Sequence, residues 1–158
     1  MSETQQSRPG LFFPFMAGFY DRASGLAYPL IRLFTGLFLM PHGAQKLFGW
    51  FGGRGLEATA QGFAERLGIE PGMFFAVLAG GTEFFGGLCL AIGLFTRVAA
   101  AGVVILMTVA IFAVHLGNGF FVFEGGYEYA LLWGIVALAI FFRGGGELSL
   151  DRRIGREF

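Results

Sequence analysis

The chain has 158 residues, 55% of them hydrophobic and only 14% charged, with a mean hydropathy of +0.66. Soluble domains carry about 45–50% apolar and about 25% charged residues, so lipid is the expected solvent and a water-soluble enzyme is excluded. Eleven basic and eleven acidic side chains balance to zero, which removes nucleic acid as the main partner; one cysteine, Cys89, and two histidines exclude an internal disulfide and leave no metal site expected.

Residues 1–10 are polar. The aromatic run over residues 11–20 falls short of the ~18–20 residues that span a bilayer and is expected at the interface. Glu3 ahead of Arg8, Pro14 inside the run and no Ala-x-Ala-like site argue against a cleaved leader. Four segments then have spanning character. Residues 26–48 carry Arg32, Pro41, His42, Gln45 and Lys46; residues 72–95 hold Glu83; residues 98–116 end near His115; residues 127–142 start beside Glu128 and run apolar from Ala130 to Phe142.

These runs lack the apolar/polar alternation of a barrel strand, and a span must satisfy its own backbone polar groups. The expectation is an all-α bundle of four transmembrane helices over residues 26–143. It is preceded by a polar tail and aromatic interfacial segment over residues 1–25 and followed by a cytoplasmic tail over residues 144–158. Between the first two spans, Leu56, Ala60, Phe63 and Leu67 share one helical face, which predicts a short amphipathic helix, lying on the outer surface or packed on the bundle. Arg8, Arg22, Arg97, Arg143, Arg152, Arg153 and Arg156 fall on one side and Arg54 and Arg66 on the other, so both termini are expected in the cytoplasm. Gly36 and Gly43, Gly80 and Gly87, and Gly86 and Gly93 each recur two turns apart, as close helix packing in lipid requires.

Charged side chains inside a span cost ~2.5–3.5 kcal/mol each on insertion scales and normally face the bundle interior. At ~1.5 Å of rise per residue, His42, Lys46, His115 and Glu128 come to the outer ends of their helices, Glu83 near mid-membrane and Arg32 toward the cytoplasmic side. Pairing of Glu83 with Arg32 or Lys46, and of Glu128 with His115 or His42, is the structural account. Apolar replacements would often be as stable, so a polar pocket opening outward is the functional one. Glu83, His115 and Glu128 are the candidate proton-handling residues, and Arg32, His42, Lys46 and Trp133 the candidate ligand-binding ones. Two histidines at similar depth raise bis-histidine haem, but alone they do not carry it and haem is not expected.

The residues Arg32-x-x-x-Gly36 with Gly43-x-x-Lys46, Glu83-x-x-Gly86-Gly87 through Gly93 to Arg97, His115, Gly126-Tyr127-Glu128-Tyr129-Ala130-Leu131 and Gly144-x-Gly146-x-x-Ser149-x-Asp151 together resemble the DoxX family of small bacterial membrane proteins, over nearly all of residues 30–151. The resemblance implies a multi-pass four-helix bundle in the bacterial inner membrane. It also implies an association with quinone-linked redox chemistry, as in the small membrane subunit of a thiosulfate:quinone oxidoreductase. The expected function is a membrane subunit that binds a quinone or similar aromatic carrier and takes electrons from other membrane or peripheral oxidoreductase subunits. The alternative is a non-catalytic accessory or assembly subunit packed against a larger membrane complex. A solute carrier is disfavoured, because transporters usually show repeated halves and none is evident.

Overall fold

Apolar runs without period-two alternation fold as helix: in the computed structural model, which describes residues 10–157, every regular element among the described residues is helical. The polar tail expected over residues 1–10 lies, but for Gly10, outside them.

Helix α1, Ala17–Phe48, is the longest, with 32 residues; at ~1.5 Å per residue it measures about 48 Å, against ~30 Å of bilayer hydrocarbon. It starts well before residue 26. The turn Pro14–Met16 leads into it with proline at its N-terminus, where a missing N–H costs nothing. Only the first part of the aromatic run therefore stands apart from the helix, with Phe12, Phe13 and Phe15 exposed. Pro29 and Pro41 lie inside α1, and the helix ends at Gly49 in the left-handed conformation, φ 71°, where glycine meets no Cβ penalty.

Helix α2, Gly55–Leu67, buries Ala60; any side chain at Gly72 would strike the Ala60 carbonyl, so α2 is packed on the next helix and not floating beside it. Helix α3, Gly72–Gly81, continues through a π turn, Thr82–Gly86, into α4, Gly87–Ile92. Helix α5, Thr96–Ala110, continues through a second π turn, Ile111–His115. Helix α6 is Glu128–Arg143. Three segments, Pro14–Phe48, Gly72–Ile92 and Thr96–Asn118, are long and apolar enough to cross a membrane. Helix α6, with 16 residues, spans about 24 Å and packs along α5. Leu39, Leu90, Val103, Met107, Ala137 and Ile140 form the core between the helices.

The glycine spacing has a concrete counterpart. A side chain at Gly36 would strike the backbone of Gly87 and Ala91, and one at Gly43 the backbone of Phe84 and Gly80. Backbone meets backbone at both levels, the small-residue packing of helices in lipid. Gly86 takes no part, its nearest outside atom being Thr82 Cγ2 at 3.8 Å from a built Cβ. Gly93 instead turns the chain at φ 71°, against the Arg32 guanidinium and Ser149.

The C-terminal residues are more than a tail. Ser149 Oγ accepts from the Arg152 amide at 3.2 Å and caps α7, Leu150–Ile154. The Asp151 carboxylate accepts from the Phe95 and Thr96 amides at 2.8 and 2.9 Å, satisfying donors that the start of α5 leaves open and placing an anion at its positive end. Arg32 donates to the carbonyls of Leu90 at 2.7 Å and Leu148 at 2.6 Å, Tyr28 donates through its hydroxyl to the Gly144 carbonyl, and Arg97 donates to those of Phe141 and Phe142 at 2.6 and 3.0 Å. The last segment is thereby stitched to the start of α5 and, through Arg32, to the end of α4, while Arg97 ties α5 to the end of α6.

Replacing Gly43 by alanine should cost about 1–3 kcal/mol through overpacking. Replacing Gly81, where nothing lies within 4 Å, should be neutral or slightly stabilising. Thermal unfolding in detergent reads both, and equal losses would refute the backbone-contact account.

Candidate functional site

The charged centre of the molecule joins α1 to the first π turn. Lys46 Nζ donates to both carboxylate oxygens of Glu83, at 2.8 and 2.6 Å. Glu83 is 6% exposed, whereas 29% of the Lys46 side chain remains accessible. An ammonium has three protons, so one is left over. Local sequence accounts for the meeting: Lys46 lies three residues beyond Gly43, where α1 touches the Glu83 segment, and Glu83 sits inside a π turn, a widening that recurs at functional sites.

The pair borders a cavity of about 690 Å³ lined from α1, α2, α3, both π turns, α5, the loop before α6, and α6 itself. Its wall is largely apolar, with Leu39, Phe75, Leu78, Ile105, Leu106 and Met107 along the helices and Phe63, Leu67 and Ile69 from α2 and the residues after it. Its polar groups are few: Lys46, Glu83, His42, His115, Thr82 and Tyr129.

His115 ends the second π turn, and its Nδ1 stands 2.7 Å from the Gly125 carbonyl. A carbonyl only accepts, so Nδ1 carries the proton and Nε2 of the neutral ring is left as an acceptor. Asn118 Nδ2 donates to the same carbonyl at 3.2 Å, tying the loop before α6 to the end of α5. His42 is exposed on α1; the Tyr129 hydroxyl lies 3.5 Å from its Nε2, at the outer limit of hydrogen-bond distance, and the two rings stand 6.0 Å apart.

Of the seven sequence candidates, His42, Lys46, Glu83 and His115 line this one cavity, and Arg32, Glu128 and Trp133 do not. Arg32 lies 14 residues before Lys46 on α1, about 21 Å along the axis, and is 2% exposed. It is committed to the carbonyls of Leu90 and Leu148 and does not meet Glu83. Glu128 pairs with neither histidine: its Oε2 accepts from the Val122 amide at 3.0 Å and fastens the loop. Trp133, one turn further along α6 than Tyr129, packs edge-on against Phe38 and Tyr129, and its indole N–H has no acceptor. Tyr129 is the residue that sequence reasoning missed. The signal was available in the spacing, because Gly126, Tyr129 and Ala130 fall three and four residues apart and all line the cavity, a helix face that excludes Glu128.

The sequence model of the DoxX family matches residues 27–116, a stretch that holds Lys46, Glu83 and both histidines. The chain is similar to an uncharacterized membrane protein of Mycobacterium tuberculosis, with 33% identity over 138 residues, 80% of each chain. It is also similar to an uncharacterized protein of Haemophilus influenzae, with 27% identity over 135 residues, 85% of this chain and 87% of the other. No solved structure matches.

Breaking a buried ion pair from one side leaves an uncompensated charge and costs about 3–5 kcal/mol, whereas removing both partners is often near neutral. Lys46→Met should therefore destabilise strongly and Lys46→Met with Glu83→Gln should recover most of the loss. A double-mutant cycle of thermal unfolding in detergent measures this. A Lys46→Met loss below about 1 kcal/mol would place the pair among weak surface ion pairs.

Proposed function

The chain belongs to the DoxX family, and on that premise we propose that it is an integral membrane subunit of a quinone-linked oxidoreductase, holding a quinone or a similar small aromatic carrier in the cavity beside Lys46 and Glu83. The observation that carries this reading is the cavity itself: about 690 Å³ of mostly apolar wall with a partly exposed ammonium, a buried carboxylate and two imidazoles converging on it. Sites for small organic ligands measure about 300–1,000 Å³ and combine apolar walls with a few placed polar groups.

The donor set fits such a ligand. The third proton of Lys46 and the Tyr129 hydroxyl are available to donate to carbonyl oxygens, and Nε2 of His115 is available to accept from a hydroxyl. A bound quinone supplies two-electron, two-proton redox chemistry. Lys46 holds negative charge that develops at the site, through a preorganised cation in a poorly solvated pocket. Glu83, already hydrogen-bonded to the ammonium, receives a proton from it or returns one. His115 exchanges protons at Nε2 while its Nδ1–H stays anchored on the Gly125 carbonyl, a fixed tautomer that suits an imidazole to proton relay. Electrons come from a partner oxidoreductase subunit.

The same reading places all four long helices across the bacterial inner membrane, with α6 as the short fourth span and both termini cytoplasmic. Arg97, Arg143 and Arg152 gather with the C-terminal segment at one end, while Arg54 precedes α2 and Arg66 lies in its last turn at the other, the asymmetry of the positive-inside rule.

Purified protein in lipid nanodiscs, assayed for quinone binding and quinone-dependent electron transfer in membranes, tests the assignment. Glu83→Gln and His115→Ala should each weaken binding about tenfold or more and abolish transfer, with the bundle still monodisperse on gel filtration. Full activity in both variants would reject it. Co-purification in fixed stoichiometry with a larger complex, with no bound carrier, would replace it by the accessory-subunit reading.

A further inference from the structure

The cavity wall has a part that faces away from the protein. Leu78, Ile105 and Val109 line the cavity, yet they are 53%, 65% and 46% exposed. All three belong to α3 and α5, and these two helices barely touch. Helix α5 meets the α3–α4 segment through the π turn Thr82–Gly86 and through α4, so α3 and α5 diverge and leave a seam with aliphatic edges. Leu78 lies five residues before Glu83, about 7.5 Å along its segment, and both segments are apolar enough to cross a membrane. The seam therefore faces acyl chains and not water.

The opposite approaches differ in kind. Toward the end of the bundle, Phe63, Leu67 and Ile69 border the cavity, and the α2 that carries two of them is held down by the backbone contact of Ala60 with Gly72. Between α1 and α6 the lining residues that are exposed are His42 and Tyr129, whose imidazole and hydroxyl would each have to be desolvated beside an aliphatic chain. The α3–α5 seam offers an edge of three exposed aliphatic side chains from two helices that are long and apolar enough to cross a membrane, whereas the exposed apolar lining residues at the far end, Val114 and Val122, belong to the second π turn and the loop before α6.

We propose that the ligand is a membrane-dissolved carrier with a long isoprenoid-type tail, which enters sideways between α3 and α5 and leaves its tail lying in the Leu78–Ile105–Val109 seam while its head group reaches Lys46, Glu83 and His115. This rests on the quinone-site reading above and adds to it the ligand class and the route. The head group meets the polar end of the cavity, and the tail never leaves lipid, so it carries no desolvation cost on binding.

The test compares two probes in nanodiscs: dimethoxy-methyl-benzoquinone without a tail, and the same ring with a decaprenyl tail. The double variant Leu78→Trp, Ile105→Trp fills the seam with side chains that already face lipid, and Ile135→Trp, 57% exposed on α6, is the control for an added lipid-facing indole. The seam variant should lose about tenfold more affinity for the tailed probe than for the tail-less one, equivalent to ~1.4 kcal/mol, with the control unchanged for both. Tailed binding that survives the double variant would overturn the route and leave the head-group site standing. Equal loss of both probes would likewise overturn it, because the indoles would then be filling the cavity itself. Binding of neither probe to the unaltered protein would sink the site and the route together.

Discussion

A carboxylate inside an apolar helix is tolerable only with a partner, and the partner of Glu83 reaches it because two helices touch without side chains between them. A charge at mid-span costs several kcal/mol, and at 6% exposure water does little to offset it. Lys46 does, through two hydrogen bonds of 2.6–2.8 Å, but an ammonium on a helix can bridge to a neighbouring helix with that geometry only if the backbones are close. Gly43 brings them close at the level of Phe84 and Gly80, and Gly36 one step lower at Gly87. The ion pair thus depends on the glycine seam, and the cavity's polar end depends on the ion pair.

The polar residues of the spans divide into two groups with different work. Around Arg32, Ser149 and Asp151, hydrogen-bonding capacity is directed at backbone groups that helix ends leave open: Asp151 caps α5, Arg32 serves the last turn of α4 and the Leu148 carbonyl, and Arg97 serves the last turn of α6. That arrangement closes the molecule. Around Lys46 and His115 capacity is left over: one ammonium proton and the second nitrogen of an imidazole whose first is already anchored on Gly125. Unspent donors and acceptors facing a cavity are the chemical difference between a binding site and a staple.

Three of the four expected spans were legible in the sequence because hydropathy and the absence of alternation are local properties, and α2 was legible because Leu56, Ala60, Phe63 and Leu67 keep helical spacing. The glycine repeats predicted which helices approach. Depth alone, however, groups Glu128 with the histidines, and depth says nothing about rotation around a helix axis; Arg32 is a candidate only as an intramembrane charge, at a depth already different from theirs. Tyr129 faces the cavity because it is one residue on from Glu128, a turn of about 100°. The role of Asp151 was not legible for another reason: it caps a helix that starts 55 residues earlier in the chain, and no local pattern announces a cap supplied from so far away.

The two π turns were equally invisible, and they explain glycines that the seam alone does not. The turn Thr82–Gly86 lies between Gly80 and Gly87, both held against α1, so its extra residue has to bulge between two pinned points. On the α1 side the bulge brings Phe84 onto Gly43, where a Cβ would strike its backbone nitrogen. On the α5 side it brings Thr82 Cγ2 to within 3.3 Å of where a Cβ on Gly102 would lie. Gly102 thus leaves room beside the widened turn, and Gly43 admits both the turn and the Gly80 backbone before it. Alanine at position 102 would favour its helix by about 1 kcal/mol, so the widened turn is accommodated at some cost in helix stability. The sacrifice is intelligible if the position of Glu83 beside the cavity matters more than the packing given up around it, and the second π turn, which ends on His115 across the same cavity, repeats the device.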